Sequence, residues 1–125
     1  MTSLRDGKSD AKDRSSKRKR GEWAYLIMWE FQVRPRMEKR FEKIYGSDGD
    51  WARLFIQDES YFGTDLIHSL DGARTYVTLD FWRSQQAYDK FRKRQLAKYQ
   101  ALDQQCEELT ESEREIGRFV RVPSK

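Results

Sequence analysis

Hydrophobic side chains recur at every second position between residues 23 and 33, a pattern that predicts a β-strand. The residues that share one face of this strand are Trp23, Tyr25, Ile27, Trp29, Phe31 and Val33. Ala24, Leu26 and Met28 on the opposite face are apolar too, so we expect both faces of its first half to be covered.

Two helical segments are predicted after this strand. Pro35 suits the first turn of a helix that continues to Gly46. The apolar residues at helical spacing in this segment are Met37, Phe41, Ile44 and Tyr45. After the turn at 47–49, Asp50 is placed to cap a second, short helix. That helix carries Trp51, Leu54 and Phe55 on one side.

The second half of the chain begins with a hairpin pattern. Segments 61–70 and 75–82 flank Asp71 and Gly72, which favour a tight turn. Ser84 is placed to cap a long helix that reaches about Leu109. Its inward stripe consists of Tyr88, Phe91, Tyr99, Leu102, Cys106 and Leu109. The spacing of Thr110 and Glu113 indicates one more helical turn before a last strand over 117–122.

The resulting order of strand, helix, strand, strand, helix and strand predicts an α+β fold. It is the ferredoxin-like βαββαβ sandwich, with one antiparallel sheet and the helices on a single face. The apolar second face of the first strand then needs a cover, and a second copy of the chain is the simplest one. We therefore expect a homodimer through the sheet face, with the two sheets forming a dimeric α/β barrel.

Length and charge divide the chain into a tail and one domain. With 125 residues of which 37% are hydrophobic, the chain can bury one modest core. Residues 1–20 hold eight basic and three acidic side chains, whereas the whole chain carries a net charge of only +4. We predict a disordered basic tail over 1–21, and a folded domain over 22–125 that is close to neutral.

The chain lacks several sequence features that would indicate other classes of protein. No apolar run approaches the length of a membrane span, so we expect a soluble, cytoplasmic protein. The single cysteine, Cys106, excludes an internal disulfide and a cysteine-rich zinc motif, and the single histidine argues against a histidine-based metal site. No glycine-rich nucleotide loop is present. We therefore predict no metal and no cofactor.

The chain from Trp23 to Val122 resembles the antibiotic biosynthesis monooxygenase family of the dimeric α/β-barrel superfamily. The segments that carry the resemblance are WEFQVRP (29–35), FEKIYGSDGDWARLF (41–55), YFGTDLI (61–67), YVTLDFWRSQQAYDKF (76–91) and LTESEREIG (109–117). The resemblance implies a cofactor-independent monooxygenase that acts on phenol-like or anthrone-like aromatic molecules. The alternative is a non-catalytic dimeric barrel that binds a small hydrophobic ligand or supports a partner.

The haem-degrading relatives offer a test of one specialised activity. Trp82 falls on the tryptophan that ruffles haem in those proteins. They carry an asparagine on the first strand, where this chain has Trp29, and a haem-ligating histidine on the second long helix. The segment 84–109 contains no histidine, so the sequence argues against haem degradation.

Five residues are candidates for a site between the sheet and the helices. His68 titrates near neutral pH unaided and is the natural general base, but its place near the end of an edge strand also fits an exposed or dimer-contact histidine. Asp80 shares a face with Trp82 and either serves the site or pairs with another side chain. Trp29 and Trp82 either line the cavity or pack in the core. Tyr45 either offers its hydroxyl to a ligand or is an amphipathic core residue.

Basic residues on the long helix raise the question of nucleic-acid binding. They are Lys90, Arg92, Lys93, Arg94 and Lys98. Because the same helix continues into a run of glutamates, we interpret them as a solvated face with local ion pairs.

Overall fold

The fold is built on one antiparallel sheet of four strands, seen in a computed structural model that describes residues 20–123. The strands are β1 (Tyr25–Val33), β2 (Tyr61–His68), β3 (Thr75–Trp82) and β4 (Thr110–Val120). Their order in the sheet is β2-β3-β1-β4, with β1 paired to both β3 and β4. This is the predicted ferredoxin-like topology, and the prediction of an α+β fold is confirmed.

The alternation along the central strand decides which side chains meet the helices. Tyr25, Ile27, Phe31 and Val33 on β1 are buried, as the period-two pattern predicts. On β3 the residues that face the helices are Tyr76, Thr78, Asp80 and Trp82. The helices therefore cover one face of the sheet, and the main core lies between them and β1.

The first two helices are α1 (Glu38–Tyr45) and α2 (Asp50–Phe55). Pro35 lies in a turn rather than in the first turn of α1, because Arg36 adopts a left-handed conformation with φ of 69°. Gly49, not Asp50, occupies the N-cap position of α2. A Cβ at Gly49 would lie 2.3 Å from the Ile44 carbonyl oxygen, so this close approach requires glycine.

The predicted long helix is divided into α3 (Gln85–Arg94) and α4 (Leu96–Cys106), with a 3₁₀ turn over Glu107–Leu109. Ser84 caps α3 as predicted, since its Oγ accepts a hydrogen bond from the Ala87 N–H at 3.1 Å. The extra helical turn at 110–113 is wrong, because β4 already begins at Thr110. Pairing with β1 at nine positions outweighs the local capping pattern.

Arg20 belongs to the folded part, although the sequence places it in the tail. It lies in a 3₁₀ turn (Arg20–Glu22), and its Nε donates to the Phe62 carbonyl at 3.0 Å. Its Nη1 pairs with the Asp65 carboxylate at 2.9 Å, and its guanidinium lies 4.1 Å from the centre of the Phe81 ring. The rest of the predicted tail, up to residue 19, lies outside the described residues.

The face of the sheet opposite the helices is apolar in its centre. Leu26 and Met28 on β1 are partly exposed there, beside Leu79 on β3 and Phe119 on β4. Phe119 is 44% exposed. In the part of the chain that the structure describes, no helix is long and apolar enough to span a membrane.

Candidate functional site

A cavity of about 380 Å³ lies between the sheet and the helices. All four strands contribute to its lining, and so do helices α1 to α4. The lining residues are Trp29, Phe31, Tyr45, Trp51, Phe55, Thr64, Thr78, Asp80, Arg92, Tyr99, Asp103 and Glu113. Its volume is that of a small-molecule site.

Aromatic rings form most of the cavity wall. Trp29 and Phe31 stand on alternate positions of β1, with their ring centres 6.5 Å apart and nearly parallel. Trp51 and Tyr99 meet edge to face at 4.9 Å. Flat rings with fixed orientations favour a flat aromatic ligand, because offset stacking and edge contacts are both available to it.

Asp80 is the end of a chain of hydrogen bonds inside the cavity wall. The Thr64 hydroxyl donates to Asp80 Oδ1 at 2.6 Å, and the Tyr61 hydroxyl lies 2.5 Å from Thr64 Oγ1. Because a threonine hydroxyl has one proton, Thr64 accepts from Tyr61 while it donates to Asp80. The chain fixes the orientation of the carboxylate.

Burial raises the pKa of Asp80 to about 6, and the hydrogen bond from Thr64 partly opposes this rise. No ion pair compensates the carboxylate within residues 20–123. The pKa of Tyr61 is raised by burial and by the charge of Asp80, so this phenol stays protonated at neutral pH. Asp80 is therefore ionised above about pH 6 and a stronger base than an ordinary carboxylate.

Arg92 on α3 places a positive charge in the same cavity. Its Nη1 donates to the Tyr88 hydroxyl at 3.1 Å, and its guanidinium carbon lies 3.8 Å from the centre of the Tyr99 ring. Burial raises the pKa of Tyr99, so its phenol is neutral beside the cation.

Asp103 and Glu113 bring acidic groups to another part of the cavity lining. The pKa of Glu113 is raised by burial and by the neighbouring charges of Asp103 and Glu107. The cavity lining therefore contains the Arg92 cation, the Asp80 carboxyl group and an acidic rim formed by Asp103 and Glu113.

Three of the predicted site residues come together here. Trp29, Tyr45 and Asp80 all line the cavity. Burial raises the pKa of the Tyr45 phenol, which keeps it neutral as a hydrogen-bond donor.

His68 lies outside the cavity. It is exposed at the end of β2, with its ring stacked on Tyr76 at 4.2 Å and its Nε2 2.7 Å from the Ala73 carbonyl oxygen. Tyr76 and Asp80 are four residues apart on β3, so about 13 Å of strand separates the His68 end from Asp80.

Trp82 lies in the core rather than among the cavity-lining residues. It is 0% exposed and packs against Phe55, Tyr61, Tyr88 and Phe91. A ligand in the cavity would therefore have to displace another ring to reach its indole. The core interpretation of Trp82, open in the sequence, describes its position better than the ligand-stacking one.

Arg92 and Thr64 belong to the cavity lining but were not predicted from the sequence. Helical spacing could have identified Arg92, whereas the position of Thr64 depends on strand register. Arg92 lies four residues after Tyr88 and seven before Tyr99, which places it on the inward face rather than on the solvated one. Thr64 pairs with Asp80 across β2 and β3. That register follows from the bulge between Tyr61 and Gly63, which alternation alone does not reveal.

Among residues 20–123, no group of three or more His, Cys, Asp or Glu side chains is placed to hold a metal ion.

Comparison with known proteins agrees with the fold. The family description "antibiotic biosynthesis monooxygenase" matches residues 24–102. A solved structure of SnoaB, a cofactor-independent oxygenase from Streptomyces nogalater, is 16% identical and superposes with a TM-score of 0.64, covering 82% of this chain and 96% of that one. Comparison with curated protein sequences gave no match.

Two further structures have the same fold. A candidate antibiotic biosynthesis monooxygenase from Bordetella bronchiseptica is 18% identical, with a TM-score of 0.62 over 81% of this chain and 99% of that one. The protein PA3566 from Pseudomonas aeruginosa is 10% identical, with a TM-score of 0.58 over 81% and 96%. At these identities the likeness concerns the fold alone.

Proposed function

Because the chain belongs to the antibiotic biosynthesis monooxygenase family, we propose that it is a cofactor-independent monooxygenase of aromatic small molecules, phenol-like or anthrone-like. The observation that carries the proposal is the position of Asp80, a carboxylate with a raised pKa at the wall of an aromatic cavity. SnoaB, which shares the fold, is a cofactor-independent oxygenase.

The chemistry needs a base, a bound aromatic substrate and molecular oxygen. Asp80 takes a proton from the acidic C–H or O–H group of the substrate, and the negative charge spreads over the rings. At an anthrone CH₂ group, the carbanion then reacts with O₂. One oxygen atom stays on the carbon as a carbonyl, and the other leaves as water with the two hydrogens of that CH₂ group.

Other residues of the cavity orient the reactants. Trp29 and Tyr45 hold the rings of the substrate, and the Tyr45 hydroxyl donates to a substrate oxygen. Thr64 holds the Asp80 carboxylate in one orientation through its 2.6 Å hydrogen bond. The aromatic wall keeps water away from the reacting carbon. Asp80 is thus the proposed base in preference to His68, which lies outside the cavity.

The test is oxygen uptake by the purified chain with a panel of anthrones and hydroxylated naphthalenes. We expect uptake with formation of the quinone product, and a rate that falls by about 10²-fold or more in the Asp80→Asn variant. Asp71→Asn changes an exposed carboxylate in the β2–β3 loop and serves as the matched control. A wild-type rate equal to that of Asp80→Asn would contradict the proposed base.

The same panel separates the enzyme from a binding module. A non-catalytic barrel would bind the aromatic molecules in the cavity without consuming oxygen. Binding with no uptake across the panel, under air and at a pH above 7, would favour that second function. The cytoplasmic location stays a prediction from the sequence.

We further propose that the chain is a homodimer through the open face of its sheet. Leu26, Met28 and Leu79 lie at the centre of this face, and Phe119 extends it at the β4 edge. Such a contiguous apolar surface favours association, because burial of apolar area removes it from water. A second copy would present the same face, as a symmetric dimer requires.

Sedimentation of the wild type and of Met28→Asp tests the dimer. We expect a dimer at micromolar concentration that Met28→Asp weakens, because an unpaired carboxylate would be buried in the interface. Lys93→Asp on the exposed side of α3 is the control and should leave the dimer intact. A wild-type monomer at that concentration would refute the proposal.

A further inference from the structure

The charges around the cavity lie at two separate ends. Asp80 and Arg118 flank Ile27 in the sheet, whereas Glu113 pairs with Phe31. Ile27 and Phe31 are four residues apart on β1, which corresponds to about 13 Å along the strand. Glu113, which belongs to the acidic rim, therefore lies about 13 Å along the sheet from the paired positions Asp80, Ile27 and Arg118.

Arg92 belongs to the end that holds Arg118. Burial is the largest single influence on the pKa of Arg92 and lowers it, as does the charge of Arg118. The hydrogen bond to Tyr88 and the neighbouring Tyr99 together outweigh these effects, so the pKa of Arg92 is raised overall. The neighbouring side chains with the largest influence on it are Tyr88, Tyr99 and Arg118. The cation thus remains charged and stands apart from the acidic rim.

Within residues 20–123, a carboxylate pairs with Arg118 but none pairs with Arg92. The Arg118 guanidinium pairs with the Glu115 carboxylate at 3.2 Å and donates to the Tyr25 hydroxyl at 3.2 Å. In residues 20–123, no carboxylate forms an ion pair with Arg92, and its buried Nε has no hydrogen-bond partner. Among the described residues, Arg92 is held by two tyrosines, Tyr88 through its hydroxyl and Tyr99 through its ring face.

The Arg92 guanidinium is partly buried beside neutral rings, and no carboxylate within residues 20–123 compensates its charge. It is rigidly held on one side by Tyr88 and Tyr99 and borders the cavity on another. An anionic oxygen of a ligand would supply the missing charge, and a charge-assisted hydrogen bond to it would be strong in these surroundings.

We propose that Arg92 is an anion-binding residue of this cavity, and that its ligands are aromatic molecules carrying an anionic oxygen, phenolate or carboxylate. The anionic group lies at the Arg92 end, because the guanidinium attracts it there and the acidic rim formed by Asp103 and Glu113 repels it at the other end. Asp80 lies at the Arg92 end too, so its carboxylate opposes this attraction above about pH 6, where it is ionised. Arg92 therefore determines both the class of ligand and its orientation. This inference rests on the proposed function, since it places an aromatic molecule in the same cavity.

Calorimetric titration with two probes of similar size tests the inference in the full chain. The probes are 9-anthracenecarboxylate and the neutral 9-anthracenemethanol, compared at about pH 5, where Asp80 is mostly protonated. We expect the wild type to bind the carboxylate about tenfold tighter or more. Arg92→Met should remove this preference while its affinity for the alcohol stays within about threefold, since the apolar stem is retained.

Two further variants make the comparison specific. Lys93→Met removes a positive charge from the neighbouring, exposed position of α3 and should keep the preference. Arg92→Lys keeps the charge and should retain part of the preference for the carboxylate probe. This variant provides a second test if Arg92→Met does not fold.

The outcomes separate this inference from the proposed function. Equal binding of both probes by the wild type, or a preference that survives in Arg92→Met, would overturn the role of Arg92 and leave the aromatic cavity standing. Failure of the wild type to bind either probe would overturn the inference together with the proposed aromatic site. Loss of the preference in Lys93→Met as well would overturn it too, because general attraction by the helix would then explain the effect.

Discussion

Replacing Asp80 with asparagine should make the protein more stable at neutral and alkaline pH. The side chain keeps its size, and its amide oxygen can still accept the hydrogen bond from Thr64. What the change removes is the cost of holding an ionised carboxylate at the cavity wall without a cationic partner among the described residues.

The magnitude follows from the pKa of Asp80, which burial raises from 3.8 to about 6. A raised pKa in the folded state means that the carboxyl contributes stability below about pH 4, where it is neutral in both states. That contribution is lost as the pH rises through about 6, because folding then requires an ionised, buried group. The loss amounts to about 3 kcal/mol at most, and water in the cavity would lower it.

Urea unfolding of the wild type and Asp80→Asn at about pH 4 and about pH 8 measures this effect. The difference in free energy of unfolding between the two proteins should change by about 2 to 3 kcal/mol in favour of the variant between the two pH values. Asp71→Asn, at an exposed position, should change by less than about 0.5 kcal/mol. A difference between the wild type and Asp80→Asn that does not vary with pH would refute the reasoning.

Substitutions at three other residues test packing and hydrogen bonding by the same urea measurement. Trp82→Ala should lose about 3 to 5 kcal/mol, because the indole is fully buried, and a loss below about 1 kcal/mol would contradict its place in the core. Thr64→Val should lose about 1 to 3 kcal/mol at pH 8 by leaving Asp80 without its hydroxyl donor, whereas Thr64→Ser should recover most of it. Arg20→Ala should lose about 1 kcal/mol with its bonds to Phe62 and Asp65, and an unchanged midpoint would mean that this arginine is not anchored.

The local pattern of the chain was sufficient for β1, β2 and β3 and for the fold class. Alternation in β1, the turn residues between β2 and β3, and Ser84 at the start of α3 are local signals, and each element formed where they lie. Strand order followed from the connections that a βαββαβ sequence of elements allows. The resemblance to the family predicted the same architecture from particular segments, and the match over 24–102 confirms it.

Tertiary contacts decided the remaining features. Thr110 and Glu113 have the spacing of a helix cap, yet pairing with β1 draws them into β4, because long-range ladder hydrogen bonds outweigh a local preference. The cavity is equally non-local, since Asp80, Thr64 and Arg92 come from three different elements. The sequence alone determined that Asp80 and Trp82 share a face of β3, but only the packing of α2 and α3 decided that Trp82 is enclosed while Asp80 borders open space.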